Sequence, residues 1–290
     1  MTVRGFLAGI AENETLNYIL TNFIPRRTAT RLVGAVARIE QPTIKDAAIR
    51  VWRMFSDLDL SEAKKTEFSS LRDCFIRELK AGARPIDTSE NIVVSPCDGI
   101  VVAAGAIEGE RLLQVKGAYY TLSELLRDDE LVDTYRGGTF VTLRLTASMY
   151  HRFHAPFDGC VERVRHIAGD TWNVNPATLK RVSKLYCRNE RATVELRLPT
   201  GQLLTLVPVA AILVASIKLN FMELPADRSH QLPWNKNCSV RVEKGQEMGW
   251  FEHGSTIIVL APRGIEPCTE VQAGANVRMG QRLLRLPNSA

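Results

Sequence analysis

Apolar residues recur every three or four positions through the first eighty residues, which is the spacing that aligns side chains on one face of an α-helix. The pattern predicts four helices, at about residues 16–24, 32–39, 43–55 and 68–79. The first is expected to end at Pro25, because proline lacks the amide proton that a helix interior needs. The N-terminal part of the chain is therefore predicted to be helical.

The third predicted helix combines an apolar stripe with flanking arginines. Thr43 is expected to cap its N-terminus, with Asp46 returning a hydrogen bond to the backbone three residues earlier. Arg50 and Arg53 lie beside the stripe, which consists of Ile44, Ala48, Val51, Trp52 and Phe55. Helices of this composition pack into protein cores and also lie on membrane surfaces, so the pattern alone leaves both roles open.

From about residue 91 the pattern changes to short runs of β-forming residues separated by Gly, Pro and Asp. Runs of this kind, after a helical segment, are typical of an α+β protein. We therefore predict N-terminal helices (residues 1–80) that accompany a β-rich, predominantly antiparallel domain (residues 81–290).

Two segments of the β-rich half resemble each other. "SPCDGIV" (95–101) and "APFDGCV" (155–161) share Pro, Asp, Gly and Val at the same positions, sixty residues apart. "VEKGQEMG" and "VQAGANVRMG" echo each other nearer to the C-terminus. Paired turns of this kind are typical of a strand-swapped β-sandwich of the lipoyl-like or duplicated-hybrid type, in which Asp98 and Asp158 occupy equivalent turns.

The composition disfavours several classes of protein. Hydrophobic residues make up 45% of the 290 residues, which is enough for a globular core, and no apolar run is long enough to span a membrane. The N-terminus lacks the pattern of a signal peptide, so the cytoplasm is the expected compartment. The six cysteines form no C-x-x-C pair, which disfavours a zinc site and a disulfide framework. An excess of 37 basic over 32 acidic residues is too small to indicate nucleic acid binding.

The stretch "GWFEHGSTIIVL" (249–260) places a Gly-Ser-Thr step immediately before a run of β-forming residues. Glycine leaves its own carbonyl unshielded, so the hydroxyl of Ser255 is able to reach the carbonyl carbon of Gly254. The same step also fits a tight bend that enters a strand. The stretch alone does not decide between these two interpretations.

Two of the five histidines, His151 and His154, stand together in "MYHRFHAP". No metal is predicted, because neither an H-E-x-x-H pattern nor a cysteine pair supplies the further ligand that zinc needs. Acid–base catalysis is the alternative, since imidazole titrates near pH 7. Asp98, one of these histidines and Ser255 could form a relay. The chain has no G-x-S-x-G elbow, so a relay directed at its own backbone fits better than a hydrolase triad.

Three motifs in this order, "VSPCDG" (94–99), "YHRFHAPFDG" (150–159) and "GQEMGWFEHGST" (245–256), resemble those of the phosphatidylserine decarboxylase family, in its pyruvoyl-dependent prokaryotic type. The resemblance extends over most of the chain. The sequence departs from the family pattern at four positions, namely Cys97, Ala210, Ala215 and His253. These departures affect local packing and leave the reacting atoms in place.

The resemblance implies that the chain cuts itself between Gly254 and Ser255. Attack of the serine hydroxyl on the preceding carbonyl gives an ester, and β-elimination then separates residues 1–254 from residues 255–290. Ser255 remains as an N-terminal pyruvoyl group, which is the covalent cofactor of the family. Asp98 and His154 are by this resemblance the relay that activates the serine, which is otherwise a weak nucleophile.

The resemblance also implies a substrate and a reaction. The pyruvoyl carbonyl forms a Schiff base with the amine of phosphatidylserine and takes up the electrons released with carbon dioxide. His151 is the candidate that protonates the resulting carbanion, and hydrolysis releases phosphatidylethanolamine. The large and small chains are expected to stay associated, whereas the sequence leaves a homodimer open.

A lipid substrate gives the N-terminal helices a role. An enzyme without a spanning segment must still meet a bilayer, and Arg26, Arg27, Arg50 and Arg53 suit an anionic surface. We therefore expect peripheral attachment to the cytoplasmic face of the cell membrane.

Three alternatives remain open at this point. A pyruvoyl-dependent decarboxylase of a non-lipid amino acid in the same family would keep all three motifs. A lipoyl-like carrier would need a modifiable lysine between methionines, which Lys116, Lys218 and Lys244 do not provide. A metallopeptidase of duplicated-hybrid type would use His151 and His154 as ligands.

Overall fold

The computed structural model describes residues 26–211, 217–222, 233–251 and 255–287, with the backbone alone for residues 26–31 and Phe55. The predicted helix around residues 16–24 lies outside these ranges. The described helices are α1 Arg26–Ala37, α2 Pro42–Phe55, α3 Leu71–Phe75, α4 Leu122–Leu126, α5 Asp129–Tyr135, α6 Pro176–Arg181 and α7 Leu185–Arg188. The described strands are β1 Ile92–Val94, β2 Gly99–Ala106, β3 Arg111–Val115, β4 Ala118–Thr121, β5 Thr139–Arg144, β6 Arg152–His154, β7 Gly159–Ile167, β8 Arg191–Arg197, β9 Leu203–Val209, β10 Ile217–Leu219, β11 Trp234–Val242, β12 Glu247–Phe251, β13 Thr256–Ala261, β14 Glu266–Pro267, β15 Asn276–Val277 and β16 Arg282–Arg285.

Eight strands form one large sheet in the order β11-β7-β8-β9-β13-β5-β2-β15. Two three-stranded sheets, β1-β16-β14 and β10-β12-β6, and the β3-β4 hairpin accompany it. All pairings between these strands are antiparallel. The predicted α+β fold with a predominantly antiparallel core is confirmed. The lipoyl-like type of sandwich and the domain boundary at residue 80 stay predictions.

Strand β13 runs through the middle of the large sheet and is buried on both faces. Successive side chains of a strand point to opposite faces, so β13 contributes to two cores. Ile257 and Val259 pack with residues of the small sheets, whereas Ile258 and Leu260 pack with α4, α5, α6 and α7. Both faces need apolar residues, which is why the strand lacks polar alternation.

Helix α2 begins one residue earlier than the sequence predicted. Pro42 is its first residue, a position where the missing amide proton costs nothing. Gln41 is the N-cap, and its side chain accepts a hydrogen bond from the amide of Ile44 at 2.8 Å. Thr43 lies inside the first turn and donates its hydroxyl to Gln41 at 2.6 Å. The predicted capping box of Thr43 and Asp46 is therefore wrong, because proline already starts the helix.

The predicted helix at residues 68–79 is mostly wrong as well. Only α3, five residues long, is helical there, with Ser70 as its N-cap. The backbone of residues 78–80 instead pairs with residues 62–64 through two hydrogen bonds of 2.9 Å. This pairing satisfies the peptide groups that a longer helix would have used.

The two related turn segments bond to each other directly. The amide of Val94 donates to the carbonyl of Pro156 at 2.9 Å, and the amide of His154 donates to the carbonyl of Pro96 at 2.8 Å. The two bonds join equivalent residues, so they are related by an approximate two-fold axis. The glycines of the two segments then begin β2 and β7. The repeat seen in the sequence is thus a repeat in the fold.

The aspartates of the two segments also have equivalent partners. Asp98 accepts a hydrogen bond from the amide of Met279 at 2.9 Å, and Asp158 accepts one from the amide of Lys244 at 2.8 Å. Each of these amides precedes a glycine with a positive φ. The predicted equivalence of Asp98 and Asp158 is confirmed, and the C-terminal echo of the sequence supplies the turns that cover them.

Gly280→Ala should destabilise the fold more than Gly274→Ala. Both glycines have a positive φ, 87° and 90°, so both substitutions strain the backbone to a similar extent. A Cβ atom at residue 280 would also lie 2.6 Å from the carbonyl oxygen of Pro85, whereas one at residue 274 would meet nothing within 4 Å. Urea denaturation should give a difference of about 1–2 kcal/mol in the free energy of unfolding. Equal losses would contradict the packing described for the Gly280 turn.

Candidate active site

Ser255 lies at the entrance to β13, buried in the centre of the fold. Its side chain has no exposed surface, and its carbonyl accepts a hydrogen bond from the amide of Leu145 at 2.8 Å. Its Oγ has no hydrogen-bond partner among the described residues. Other buried hydroxyls, among them that of Thr256, share this feature, so it leaves the Ser255 hydroxyl available for a new hydrogen bond without assigning it a role.

The segment before Ser255 connects two sheets. β12 ends at Phe251, whose amide donates to the carbonyl of His151 at 3.0 Å. Residues 252–254, including the predicted cleavage-site residue Gly254, lie outside the described part of the chain. The backbone of His151 therefore flanks the point from which the chain proceeds to Ser255.

His154 is held by hydrogen bonds at both ring nitrogens. Its Nδ1 lies 2.9 Å from the carbonyl oxygen of Gly245, and its Nε2 lies 3.0 Å from the hydroxyl of Tyr150. A carbonyl oxygen only accepts hydrogen bonds, so Nδ1 carries the proton of the neutral ring. Nε2 is then the acceptor, and the Tyr150 hydroxyl donates to it. This is the tautomer that a general base needs.

Burial keeps the ring of His154 neutral. The surrounding protein lowers the pKa of His154 below its ordinary value of 6.5, because a charged ring is poorly solvated there. The carbonyl of Gly245 and the carboxylates of Glu247 and Asp98 raise the pKa, with smaller effects than burial. At neutral pH the imidazole is therefore available to accept a proton.

The carboxylate of Asp98 is bound by an arginine. Arg84 donates from Nε at 2.8 Å and from Nη2 at 2.6 Å, and its Nη1 binds Glu62 at 2.7 Å. Asp98 has no hydrogen bond to His154 among the described residues; it acts on that ring only through its charge. Its predicted part in the relay with Ser255 stays a prediction.

His151 has different neighbours from those of His154. It is fully buried, and its Nδ1 lies 2.8 Å from the carbonyl oxygen of Met149, which again places the proton of the neutral ring on Nδ1. The ring packs against Phe75, with 3.9 Å between the ring centroids. The two histidines therefore sit in separate surroundings, as two separate tasks would require.

Arg152, between the two histidines, fixes their strand. Its Nη1 binds both carboxylate oxygens of Glu247, at 2.8 and 3.0 Å, and its Nε donates to the carbonyl of Ile76 at 2.9 Å. These bonds tie β6 to β12 and to the segment that follows α3. The backbone that carries both imidazoles is thereby held on two sides.

Three residues with a part in this arrangement were missing from the sequence prediction: Arg84, Tyr150 and Gly245. Tyr150 directly precedes the histidine pair, and Gly245 belongs to the repeated turn, so both stood within motifs already singled out. Their roles depend on contacts across long sequence separations, which no local pattern reveals. Among the described residues, no group of three or more His, Cys, Asp or Glu side chains is positioned to hold a metal ion.

Comparisons with known proteins identify the family. The family model for phosphatidylserine decarboxylase matches residues 71–285. A phosphatidylserine decarboxylase proenzyme from Saccharophagus degradans is 35% identical over 96% of this chain and 99% of its own length. Proenzymes of the same name from Myxococcus xanthus and Vibrio cholerae are 35% and 36% identical over 91% and 90% of the chain. The chain belongs to the phosphatidylserine decarboxylase family.

Proposed function

We propose that the chain cleaves itself between Gly254 and Ser255, and that the product decarboxylates phosphatidylserine to phosphatidylethanolamine. The observation that supports this most directly is the fully buried Oγ of Ser255, which has no hydrogen-bond partner among the described residues. The names of the relatives contain the word proenzyme, which fits a chain that must be processed before it acts.

His154 is the proposed base for the cleavage. It is neutral, its Nδ1 proton is held by Gly245, and its Nε2 is able to accept a proton. The Tyr150 hydroxyl occupies Nε2 in this structure, so that hydrogen bond must be exchanged for one with Ser255 before the proton transfers. Asp98 then stabilises the imidazolium through its charge. The serine oxygen attacks the carbonyl carbon of Gly254, and the peptide C–N bond breaks to give an ester. β-Elimination then breaks the bond between Cβ and that oxygen, which releases the carboxylate of Gly254 and leaves dehydroalanine at residue 255. Water hydrolyses its imine tautomer, which releases ammonia and leaves the pyruvoyl group.

The residue left at position 255 fits a pyruvoyl group. Such a group is small and uncharged, and the side-chain position is buried. The Ser255 hydroxyl has no hydrogen-bond partner among the described residues, so its loss leaves no described donor or acceptor unpaired. A pyruvoyl group supplies a carbonyl that binds the amine of the substrate and withdraws electrons from the bond between the α-carbon and the carboxylate. The chain itself excludes water from the site and holds residue 255 in register through the hydrogen bond from Leu145. His151 is proposed to protonate the carbon that loses carbon dioxide.

Replacing each of the two histidines by alanine in turn should separate cleavage from decarboxylation. His154→Ala should remain a single full-length chain, because the base is gone. His151→Ala should cleave and then release labelled carbon dioxide from phosphatidylserine at least about a hundredfold more slowly, as expected for loss of a general acid. Gel electrophoresis and carbon dioxide release measure the two effects. His166→Ala is the matched control, since His166 is also buried but stacks on Trp234, and it should keep both activities. Equal cleavage defects at residues 151 and 154 would contradict this division.

The rate of self-cleavage should fall as the pH is lowered, with its midpoint below pH 6.5. His154 must be neutral to accept a proton. Burial lowers its pKa below the ordinary value of 6.5, so the pH at which half of the His154 rings are protonated lies below 6.5. Precursor made by cell-free synthesis and chased at fixed pH gives the rate, with fluorescence as the control for folding. A midpoint at or above pH 6.5 would rule out a buried His154 as the base.

We further propose that the N-terminal helices attach the protein to the cytoplasmic face of the membrane. Several large apolar side chains of α1 and α2 are exposed, with exposed fractions of 43–63%: Leu32, Val36, Ile44, Val51 and Met54. Trp52, expected in the same stripe, instead packs against Phe75 with 5.5 Å between the ring centroids. On α2 the exposed apolar face therefore includes Met54 in place of Trp52, and so lies partly to one side of the predicted stripe. No described helix is long and apolar enough to cross a bilayer.

The double substitution of Val51 and Met54 by Ser should weaken binding to phosphatidylglycerol vesicles roughly thirtyfold, because each exposed apolar side chain contributes about 1 kcal/mol when it enters lipid. Sedimentation with vesicles measures the effect, and added salt should weaken binding further by screening Arg50 and Arg53. Tyr119→Ser is the matched control, since Tyr119 is an exposed apolar residue outside these helices. Unchanged sedimentation of the double variant would assign this surface to a protein interface instead.

A further inference from the structure

A cavity of about 370 Å³ lies on the helix-covered face of the large sheet, between β2, β5, β3 and α6. Its walls include the apolar side chains of Val102 and Leu179. Three cationic side chains, Lys116, Arg144 and Lys180, also line it, and no Asp or Glu is among the described residues that do so. The cavity thus combines apolar walls with positive charge.

Arg144 is the inner cation of this cavity. It is partly buried, and it has no hydrogen bond or ion pair with any other described residue. Burial lowers the pKa of its guanidinium, which reflects the cost of holding the charge away from water. Arginine stays protonated in proteins, so this charge persists and an anion in the cavity would offset its cost.

The two-fold repeat of the fold provides an internal comparison for Arg144. Ile100 in β2 stands opposite Arg144 in β5, and at the related position Cys160 in β7 stands opposite Arg197 in β8. Both strand pairs contain an irregularity of register at the same place, after Val101 in β2 and its equivalent in β7. The two arginines therefore occupy equivalent sites in the sheet.

Their partners differ. Arg197 binds the carboxylate of Glu162 with Nε at 3.1 Å and Nη2 at 3.0 Å. The residue equivalent to Glu162 in the other half is Val102, which lines the cavity beside Arg144. One half of the repeat neutralises its arginine with a carboxylate of the chain. The other half replaces that carboxylate by an apolar wall and leaves the charge facing a cavity.

The strand that carries Arg144 also pairs with the strand that begins next to Ser255. Arg144, the last residue of β5, is paired with Thr256, and the amide of the next residue, Leu145, donates to the carbonyl of Ser255 at 2.8 Å. Directly opposed residues of antiparallel strands lie about 5 Å apart. The backbone of Arg144 therefore lies beside that of Thr256, the residue that directly follows Ser255.

We propose that this cavity binds the phosphodiester of the phospholipid substrate, with Arg144 on the phosphate oxygens, Lys116 and Lys180 adding positive charge, and the apolar walls in contact with the glycerol and the acyl chains. A guanidinium suits this task, because its paired donors match two oxygens of a phosphate. Residues 255 and 256 face opposite sides of the sheet, so the headgroup amine and carboxylate reach residue 255 past the N-terminal end of β13. This inference rests on the proposed function, since it assigns the substrate of the same site.

Binding is tested first without catalysis, in the uncleaved Ser255→Ala chain. The probe is dihexanoyl phosphatidylglycerol, an anionic phosphodiester lipid without an amine, titrated calorimetrically below its micelle concentration. Arg144→Gln should weaken its binding at least about tenfold, as loss of a charge-assisted contact predicts. Val102→Glu should do the same with Arg144 still present, because it rebuilds the ion pair of the other half. Arg197→Gln, the equivalent arginine outside the cavity, should bind like the parent chain.

Inorganic phosphate is the second probe in the same titration. The apolar walls predict that it binds far more weakly than the lipid, since it offers no apolar group. Phosphate that binds as tightly as the lipid would reveal a simple anion site and overturn the assignment to a phospholipid. Unchanged lipid binding in folded Arg144→Gln and Val102→Glu chains would overturn it as well.

Kinetics then test whether the bound lipid is the substrate. In the cleaved enzyme, Arg144→Gln should raise KM for phosphatidylserine at least about tenfold with a much smaller effect on kcat. Lipid binding that depends on Arg144 with an unchanged KM would overturn the substrate assignment. A wild-type chain that binds the lipid through Arg144 but neither cleaves nor decarboxylates would instead refute the proposed function, so the two failures are distinguishable.

Discussion

Two backbone hydrogen bonds hold the two Pro-x-Asp-Gly segments together where they cross. The amide of His154 donates to the carbonyl of Pro96, and the amide of Val94 donates to the carbonyl of Pro156. The positions of the candidate catalytic groups follow from that crossing. His154, the proposed base, donates one of these two hydrogen bonds from its own backbone amide, which fixes its position. The repeated C-terminal turns then cover the crossing, which brings the carbonyl of Gly245 to the ring of His154 and the amide of Met279 to the carboxylate of Asp98.

Within this nearly symmetric frame, function resides in the differences between the halves. Asp98 and Asp158 each accept a hydrogen bond from a backbone amide of the related turn, but Asp98 is also bound by the side chain of Arg84. Arg197 has a carboxylate partner, whereas Arg144 faces a cavity. A duplicated fold supplies two copies of each turn, and loss of an internal partner in one copy frees a charge for a ligand. The proposed substrate site is one such case.

The sequence predicted the α+β class, the antiparallel core and the repeat, because each leaves a local pattern. It failed at the start of α2, where Pro42 overrides a plausible threonine cap, and at α3, where strand-like pairing replaces a helix. Motifs identified the candidate residues but not their bonds. The carbonyl of Gly245, ninety-one residues from His154, holds the ring that an aspartate was expected to orient. Such contacts arise from the topology, which periodicity does not reveal.

Intact mass spectrometry of the purified wild-type protein tests the central claim, that Ser255 is the residue at which the chain processes itself. The account predicts two polypeptides, residues 1–254 and residues 255–290. The smaller should be lighter than the encoded sequence by one ammonia molecule, and borohydride should reduce its terminal carbonyl. A single chain of full length in a preparation that decarboxylates phosphatidylserine would contradict the account, as would a small chain that begins with an unmodified serine.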